Sequence, residues 1–161
     1  MRLILKSLVT AYRHPTDLDA RSDVMAAAAM GATAFQKGLG GMHALAHPIG
    51  AIHDAHHGMT NATLMPYVLQ FNRSAIEERI TRLSAFLGLE NPGFDSFLAT
   101  VLALRADLAV PHTLHDLGID DSHAEMIAEM AAVDPSAGSN PIAFTKAAAA
   151  EVFANAMAGN I

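Results

Sequence analysis

Apolar residues recur at helical spacing from the first residues of the chain onward. Leu3, Ile4, Leu8 and Val9 put one apolar side on a short helix over 2–13. His14-Pro15 stops it, because a residue before proline is driven out of the helical region. Thr16 or Asp17 can cap the next helix, with Asp19 near its positive end, and that helix is predicted to reach about Lys37. Its alanines, Ala26 to Ala29 with Ala32 and Ala34, suit close-packed neighbours and suit plain helix propensity equally well. Gly38, Gly40 and Gly41 loosen the chain. Residues 42–49 predict one helix ended by Pro48 and Gly50, 50–57 a loop, and 59–70 a further helix that Pro66 should kink.

After the polar break at Asn72-Arg73, Ser74-Ala75-Ile76-Glu77 has the form of a capping box. Ile76, Ile80, Leu83 and Leu87 then repeat at helical spacing while Glu78, Arg79 and Arg82 face water. Gly88 ends this helix. Asn91-Pro92 opens another, carrying Phe94, Phe97, Leu98, Val101, Leu102 and Leu108, and Pro111 closes it. A turn over 113–118 precedes a second capping box, Ser122-His123-Ala124-Glu125, whose helix should point Met126, Ile127 and Met130 inward. Residues 134–141 read as an exposed loop, and Thr145 caps a last helix with Val152, Phe153 and Met157. β-branched runs are scarce, so the expectation is an all-α fold. With neither an internal repeat nor a linker, residues 1–161 are expected to form a single all-helical domain.

Composition narrows the class. The 161 residues are 52% hydrophobic and 16% charged, enough for a real core under a lightly charged surface. The net charge is −6 and the ten Lys and Arg are scattered, so no nucleic-acid partner is expected. Cys is absent, and the reducing cytoplasm is the simplest location. Met1-Arg2-Leu3-Ile4-Leu5 begins like a targeting signal, but Lys6 interrupts it and no small-residue cleavage site follows. No window offers the roughly 18 apolar residues of a membrane span, so no membrane partner is expected.

Chemistry concentrates in one stretch. Five of the nine histidines fall between residues 43 and 57, and from Gly38 to Asn72 there is no Lys or Arg and one carboxylate, Asp54. On a helix His43 and His47 share a face, and a loop could fold His57 back toward them. Three imidazoles in an apolar setting suit a divalent first-row metal such as iron or zinc. Spacing alone leaves open which of His43, His47 and His57 bind. His53 and His56 line the loop or act as alternative ligands, and His14, His112, His115 and His123 read as structural. The Gly-x-Gly at 38–40 follows no strand and lacks a third glycine at the offset a phosphate loop needs. Between His43 and His47 stand Ala, Leu and Ala, with no Glu to act as a zincin base, and neither a Cys nucleophile nor a Gly-x-Ser-x-Gly elbow is present.

The segment Gly-Leu-Gly-Gly-Met-His-Ala-Leu-Ala-His-Pro-Ile-Gly over 38–50, then His57-Gly58-Met59-Thr60-Asn61-Ala62 and Leu64-Met65-Pro66, resembles the second signature of the iron-containing (group III) alcohol dehydrogenases. Val110-Pro111, Leu117-Gly118-Ile119 and Asn140-Pro141 extend a weaker similarity along the chain. The resemblance implies the helical, metal-binding C-terminal domain of that dehydroquinate synthase-like architecture. It implies His43 and His57 as metal ligands and His47 as the catalytic residue near nicotinamide and substrate. It implies Fe2+ (or Zn2+) as a Lewis acid on the alcohol or aldehyde oxygen, with NAD(P) as hydride carrier in the full-length family. The family also uses an Asp-x-x-x-His segment upstream, and none of Asp17, Asp19 and Asp23 has a His four residues on. The N-terminal dinucleotide-binding domain is likewise expected to be absent. Metal is therefore expected to bind weakly to this chain alone, and turnover to require more. A homo-oligomer or a separate N-terminal dehydrogenase chain is the expected partner, a non-catalytic self-associating helical module being the alternative.

Overall fold

A computed structural model describes residues 1–161 as eight α-helices with no strand. In order they are α1 (Arg2–Arg13), α2 (Leu18–Ala34), α3 (Gly40–His53), α4 (His57–Phe71), α5 (Arg73–Leu87), α6 (Phe94–Asp107), α7 (Ala124–Val133) and α8 (Lys146–Ala158). They form two compact units, residues 1–37 with 79–109 and residues 38–78 with 110–161. Helix α5 begins in the second and ends in the first. No helix is long and apolar enough to cross a membrane.

In the first unit α1 packs along α2 and touches α6. Asp17 caps α2, its carboxylate accepting from the Ala20 N–H at 2.9 Å. Ser7 is buried in α1 and donates to Asp23 Oδ2 at 2.6 Å, while Lys6 Nζ reaches the same oxygen at 2.8 Å. The Arg2 guanidinium lies 4.1 Å from the Phe86 ring centre and donates through Nε to the Phe86 carbonyl at 3.1 Å. At the turn between α5 and α6 the buried Ser84 hydroxyl accepts from the Gly93 N–H at 3.2 Å and meets the Ser96 hydroxyl at 3.1 Å. Only Ala20 is buried on α2, so most of its alanines serve helix propensity rather than a packed contact.

The second unit is built on α3, which packs against α4, α7 and α8. Leu45, Ile49, Leu64, Leu114, Ile127, Val152 and Phe153 are among its fully enclosed side chains. The Asn140 carboxamide joins three parts of it. Its Oδ1 accepts from the Gly41 N–H and from Asn72 Nδ2, each at 3.0 Å. Its Nδ2 donates to Asn72 Oδ1 at 2.8 Å and to the Ile142 carbonyl at 2.7 Å. Gly41 has no room for a side chain, since a Cβ there would stand 2.6 Å from the Phe144 ring. Gly38, at φ +99°, lies closer still against the Ser139 side chain.

Several sequence expectations are revised. Helix α3 starts at Gly40 and runs through Pro48 to His53, leaving a connection of only residues 54–56. The first N–H groups of α3 are taken by Ser139 Oγ and Asn140 Oδ1, which fixes the glycines in helix and leaves no anion cradle there. Pro48 removes one helical hydrogen bond, but Ala44, Leu45, Ala46 and Ile49 are buried around it, and packing outweighs that loss. Neither capping box forms. Glu77 pairs with Arg73 Nη2 at 3.1 Å, and Ser122 is engaged by Asp120. On α7 the small face of Ala128 and Ala131 lets neighbours close in beside Ile127, and Met126 and Met130 are turned outward, 50% and 40% exposed. The loop at 134–141 is partly buried at Ser136 and Ala137, and α6 ends at Asp107 with Ala109 at φ +54° rather than at Pro111.

Two predictions follow from these contacts. Asn140→Ala strands the Gly41 N–H and the buried Asn72 carboxamide. It should cost about 2–3 kcal/mol in urea unfolding, with strong non-additivity against Asn72→Ala. The Lys6 and Ser7 hydrogen bonds hold the Asp23 carboxyl below its ordinary range. The stability they contribute is full above about pH 4 and is lost as pH falls through the lowered value. Asp23→Asn should therefore flatten the acid limb of a stability–pH curve and leave its neutral-pH slope unchanged.

Candidate metal centre

Helix α3 carries His43 and His47 one turn apart, and the short 54–56 connection returns the chain so that His57 opens α4 beside them. Asp54 makes that reversal in the left-handed region, at φ 52°. The three rings meet: His43 lies 5.8 Å from His47 and 5.3 Å from His57, and His47 stacks on His57 at 5.6 Å with planes 11° apart. His43 is half-buried, while His47 and His57 are exposed.

Each ring is held by a neighbour. His47 Nδ1 is 2.8 Å from Asp134 Oδ2, whose other oxygen accepts from the Ser136 N–H at 2.7 Å. Burial acts to raise the Asp134 carboxyl, but the His47 and Ser136 hydrogen bonds outweigh it and hold the group below the usual carboxylate range. His57 Nε2 lies 2.9 Å from Asn61 Nδ2, which also donates to the His57 carbonyl at 3.2 Å. The amide donor keeps a lone pair on Nε2, the state a cation also requires. Asn61 Oδ1 is buried without a hydrogen-bond partner, the sort of unsatisfied atom that gathers at functional sites. Burial, and then the charges His57 and His47 would carry, push the His43 imidazole below its ordinary value. It is neutral at physiological pH, as a ligand must be.

The other histidines have different occupations. His56 caps α4, its Nδ1 accepting from the Met59 N–H at 3.2 Å. His14 ends α1, and the His112 carbonyl accepts from the Tyr67 hydroxyl at 2.6 Å. His53, at the far end of α3, faces His123 at 5.9 Å. Sequence reasoning missed Asp134, which is 87 residues from His47 and carries no local signal. Asn61 was within reach, since it stands four residues after His57 on one helix face.

The family model described as "Fe-containing alcohol dehydrogenase family, C-terminal" matches residues 1–157. Among curated proteins, 1,3-propanediol dehydrogenase of Citrobacter freundii is 34% identical over 97% of this chain and 42% of its own length. NAD-dependent methanol dehydrogenase of Bacillus methanolicus is 29% identical over 98% and 43%. Among solved structures, a 1,3-propanediol oxidoreductase superposes with a TM-score of 0.92 at 31% identity, covering 97% of this chain and 43% of that one. The chain belongs to the iron-containing alcohol dehydrogenase family, as its C-terminal, all-helical part. It spans about two fifths of the length of the relatives it matches.

Asp134→Ala removes the acceptor of both His47 Nδ1 and the Ser136 N–H. It should destabilise the chain by about 1–2 kcal/mol in urea unfolding, and ring NMR signals of His47 should broaden as the imidazole gains rotamers.

Proposed function

We propose that this chain is the metal-holding part of an NAD(P)-dependent alcohol or aldehyde oxidoreductase. The approach of His43, His47 and His57 to within 5.3–5.8 Å of one another carries this reading. The donor set fits a borderline divalent ion, Fe2+ or Zn2+: a neutral, half-buried imidazole at His43 and a lone pair kept on His57 Nε2. His43 and His57 would hold the ion, and Asn61 would give up its hydrogen bond to His57 Nε2. Two imidazoles leave such an ion short of ligands, so the chain alone holds it weakly, and the remaining ligands come from the rest of the enzyme. When bound, the ion supplies Lewis acidity for interconverting an alcohol and a carbonyl group.

His47 takes a different part. Asp134 accepts a hydrogen bond from its Nδ1–H, which leaves the lone pair on Nε2 to take a proton from a substrate hydroxyl or, once protonated, to return it. The carboxylate also stabilises the imidazolium in between. A nicotinamide cofactor would supply the hydride acceptor, and one of the relatives is by name an NAD-dependent dehydrogenase, which supports that carrier. On this reading the nucleotide-binding surface belongs to the part of such enzymes outside the two fifths that this chain matches.

Exposed apolar side chains on and just after α2, at Leu18, Met25, Met30 and Phe35, support a partner. The N-terminal part of a dehydrogenase is the occupant proposed, as a separate chain or the same one, with a second copy of this chain as the competing outcome in light scattering. A cytoplasmic setting accords with the absence of Cys.

Metal-free chain titrated with Fe2+ or Zn2+ should show weak binding at this centre that disappears in His43→Ala and in His57→Ala and survives His47→Ala. The chain alone should not oxidise 1,3-propanediol, ethanol or butanol with NAD. Turnover by the pure chain would overturn the assignment of the missing ligands to another part of the enzyme.

A further inference from the structure

We propose a second divalent-cation site, at the opposite end of α3 from the paired His43 and His47, made by His53, Asp120 and His123. One ligand atom from each of these three side chains lies within 4.8 Å of the other two. Ten residues separate His53 from His43 on one helix, about 15 Å of rise, so the two centres are distinct. All three residues belong to the second unit.

The hydrogen bonds around the cluster prepare it for a cation. The Ser122 hydroxyl donates to Asp120 Oδ1, and the Ser122 N–H donates to the same oxygen at 2.9 Å. With its own proton donated there, Ser122 Oγ accepts a hydrogen bond from His123 Nδ1–H, 2.9 Å away. That relay fixes the neutral tautomer of His123 with its lone pair on Nε2, and it leaves Asp120 Oδ2 for another partner. One serine thus orients both side chains, the task an outer hydrogen bond performs for metal ligands. On the third side, His53 Nε2 is shut off from solvent without a hydrogen-bond partner. The His53 and His123 rings stand edge to face at 5.9 Å with planes 77° apart, so neither blocks the other by stacking.

Two imidazoles and one carboxylate suit zinc and its first-row neighbours, with water completing the shell, and disfavour magnesium or calcium, which take oxygen. Bonds of about 2.0–2.1 Å draw tetrahedral ligand atoms to about 3.3 Å apart. The exposed side chains of Asp120 and His123 can make that small inward movement. A cation here clips the last turn of α3 to the segment that leads into α7. Its protein partners number three, so its affinity is that of a micromolar site rather than a permanently filled one.

The test uses the full 161-residue chain, made metal-free, at pH 7.5, titrated with Zn2+ by calorimetry and with Co2+ by visible absorption. The His43→Ala/His57→Ala double variant removes the first centre. In that background, one equivalent of Zn2+ should bind with micromolar affinity, and adding His53→Ala or His123→Ala should weaken it by about tenfold or more. Ser122→Ala, which touches no ion, should weaken it less and leave the Co2+ spectrum unchanged in shape. Far-UV circular dichroism identifies any variant that fails to fold, and the exposed His123 supplies a substitution that spares the core. The proposal is overturned if the double variant binds no Zn2+, or if its binding is indifferent to both His53→Ala and His123→Ala. Loss of binding only at His43 or His57 would leave the first centre standing and remove the second.

Discussion

The carboxamide of Asn140 is the constraint on which the second unit rests. One side chain receives the first turn of α3 through Gly41, pairs reciprocally with Asn72 at the end of α4, and holds the carbonyl of Ile142 on the way to α8. Four partly buried hydrogen bonds fix the relative positions of three segments far apart in sequence, and their shielding from water makes each worth more than at the surface. Gly41 belongs to the same arrangement. Because it has no Cβ, the Phe144 ring can lie against the α3 backbone, where it also meets Phe71 edge to face at 5.8 Å. The position of α3 is thereby set from its N-terminal end.

The candidate metal centre inherits that position. His43 projects from the turn that Asn140 fixes and His47 from the next, and the three-residue connection 54–56 is too short to let α4 start anywhere but beside them. His57 therefore arrives by geometry rather than by local attraction among rings that, when charged, repel. Asp134 and Asn61 then do for His47 and His57 what burial does for His43, deciding where protons sit before any ligand comes. Three chemically identical side chains are thus given different surroundings by burial and by these neighbours.

Much of this was legible in the sequence, and the reasons differ by element. The bounds of α1, the Asp17 and Thr145 caps and the stop at Gly88 rest on local backbone chemistry, which a sequence displays directly. The extent of α3 did not follow the same rules, because Gly40, Gly41 and Pro48 argue locally against helix and are overridden by long-range contacts with Ser139, Asn140 and Phe144. Two Ser-x-x-Glu patterns matched a cap in form and not in fact, since Arg73 and Asp120 offered their residues other partners. At the site, the grouping of His43, His47 and His57 was readable from spacing together with the family resemblance. The Asp134 contact was not, because nothing within a helical turn of it speaks of an imidazole, and the pairing of His53 with His123 joins residues seventy positions apart.

The unbroken run of α3 through Pro48 has a consequence for how this segment can change over time. A helix is a ruler that also sets direction: each residue advances about 1.5 Å and turns about 100°. Between His43 and His53, side chains other than His47 can be exchanged as long as the buried face keeps its volume. An insertion or deletion of one residue would swing everything beyond it by more than a quarter of a circle, taking Ile49 out of the core and the Asp54 reversal off its mark. The stretch should therefore drift in identity and stay fixed in length, whereas the surface turn at 88–93 is open to lengthening.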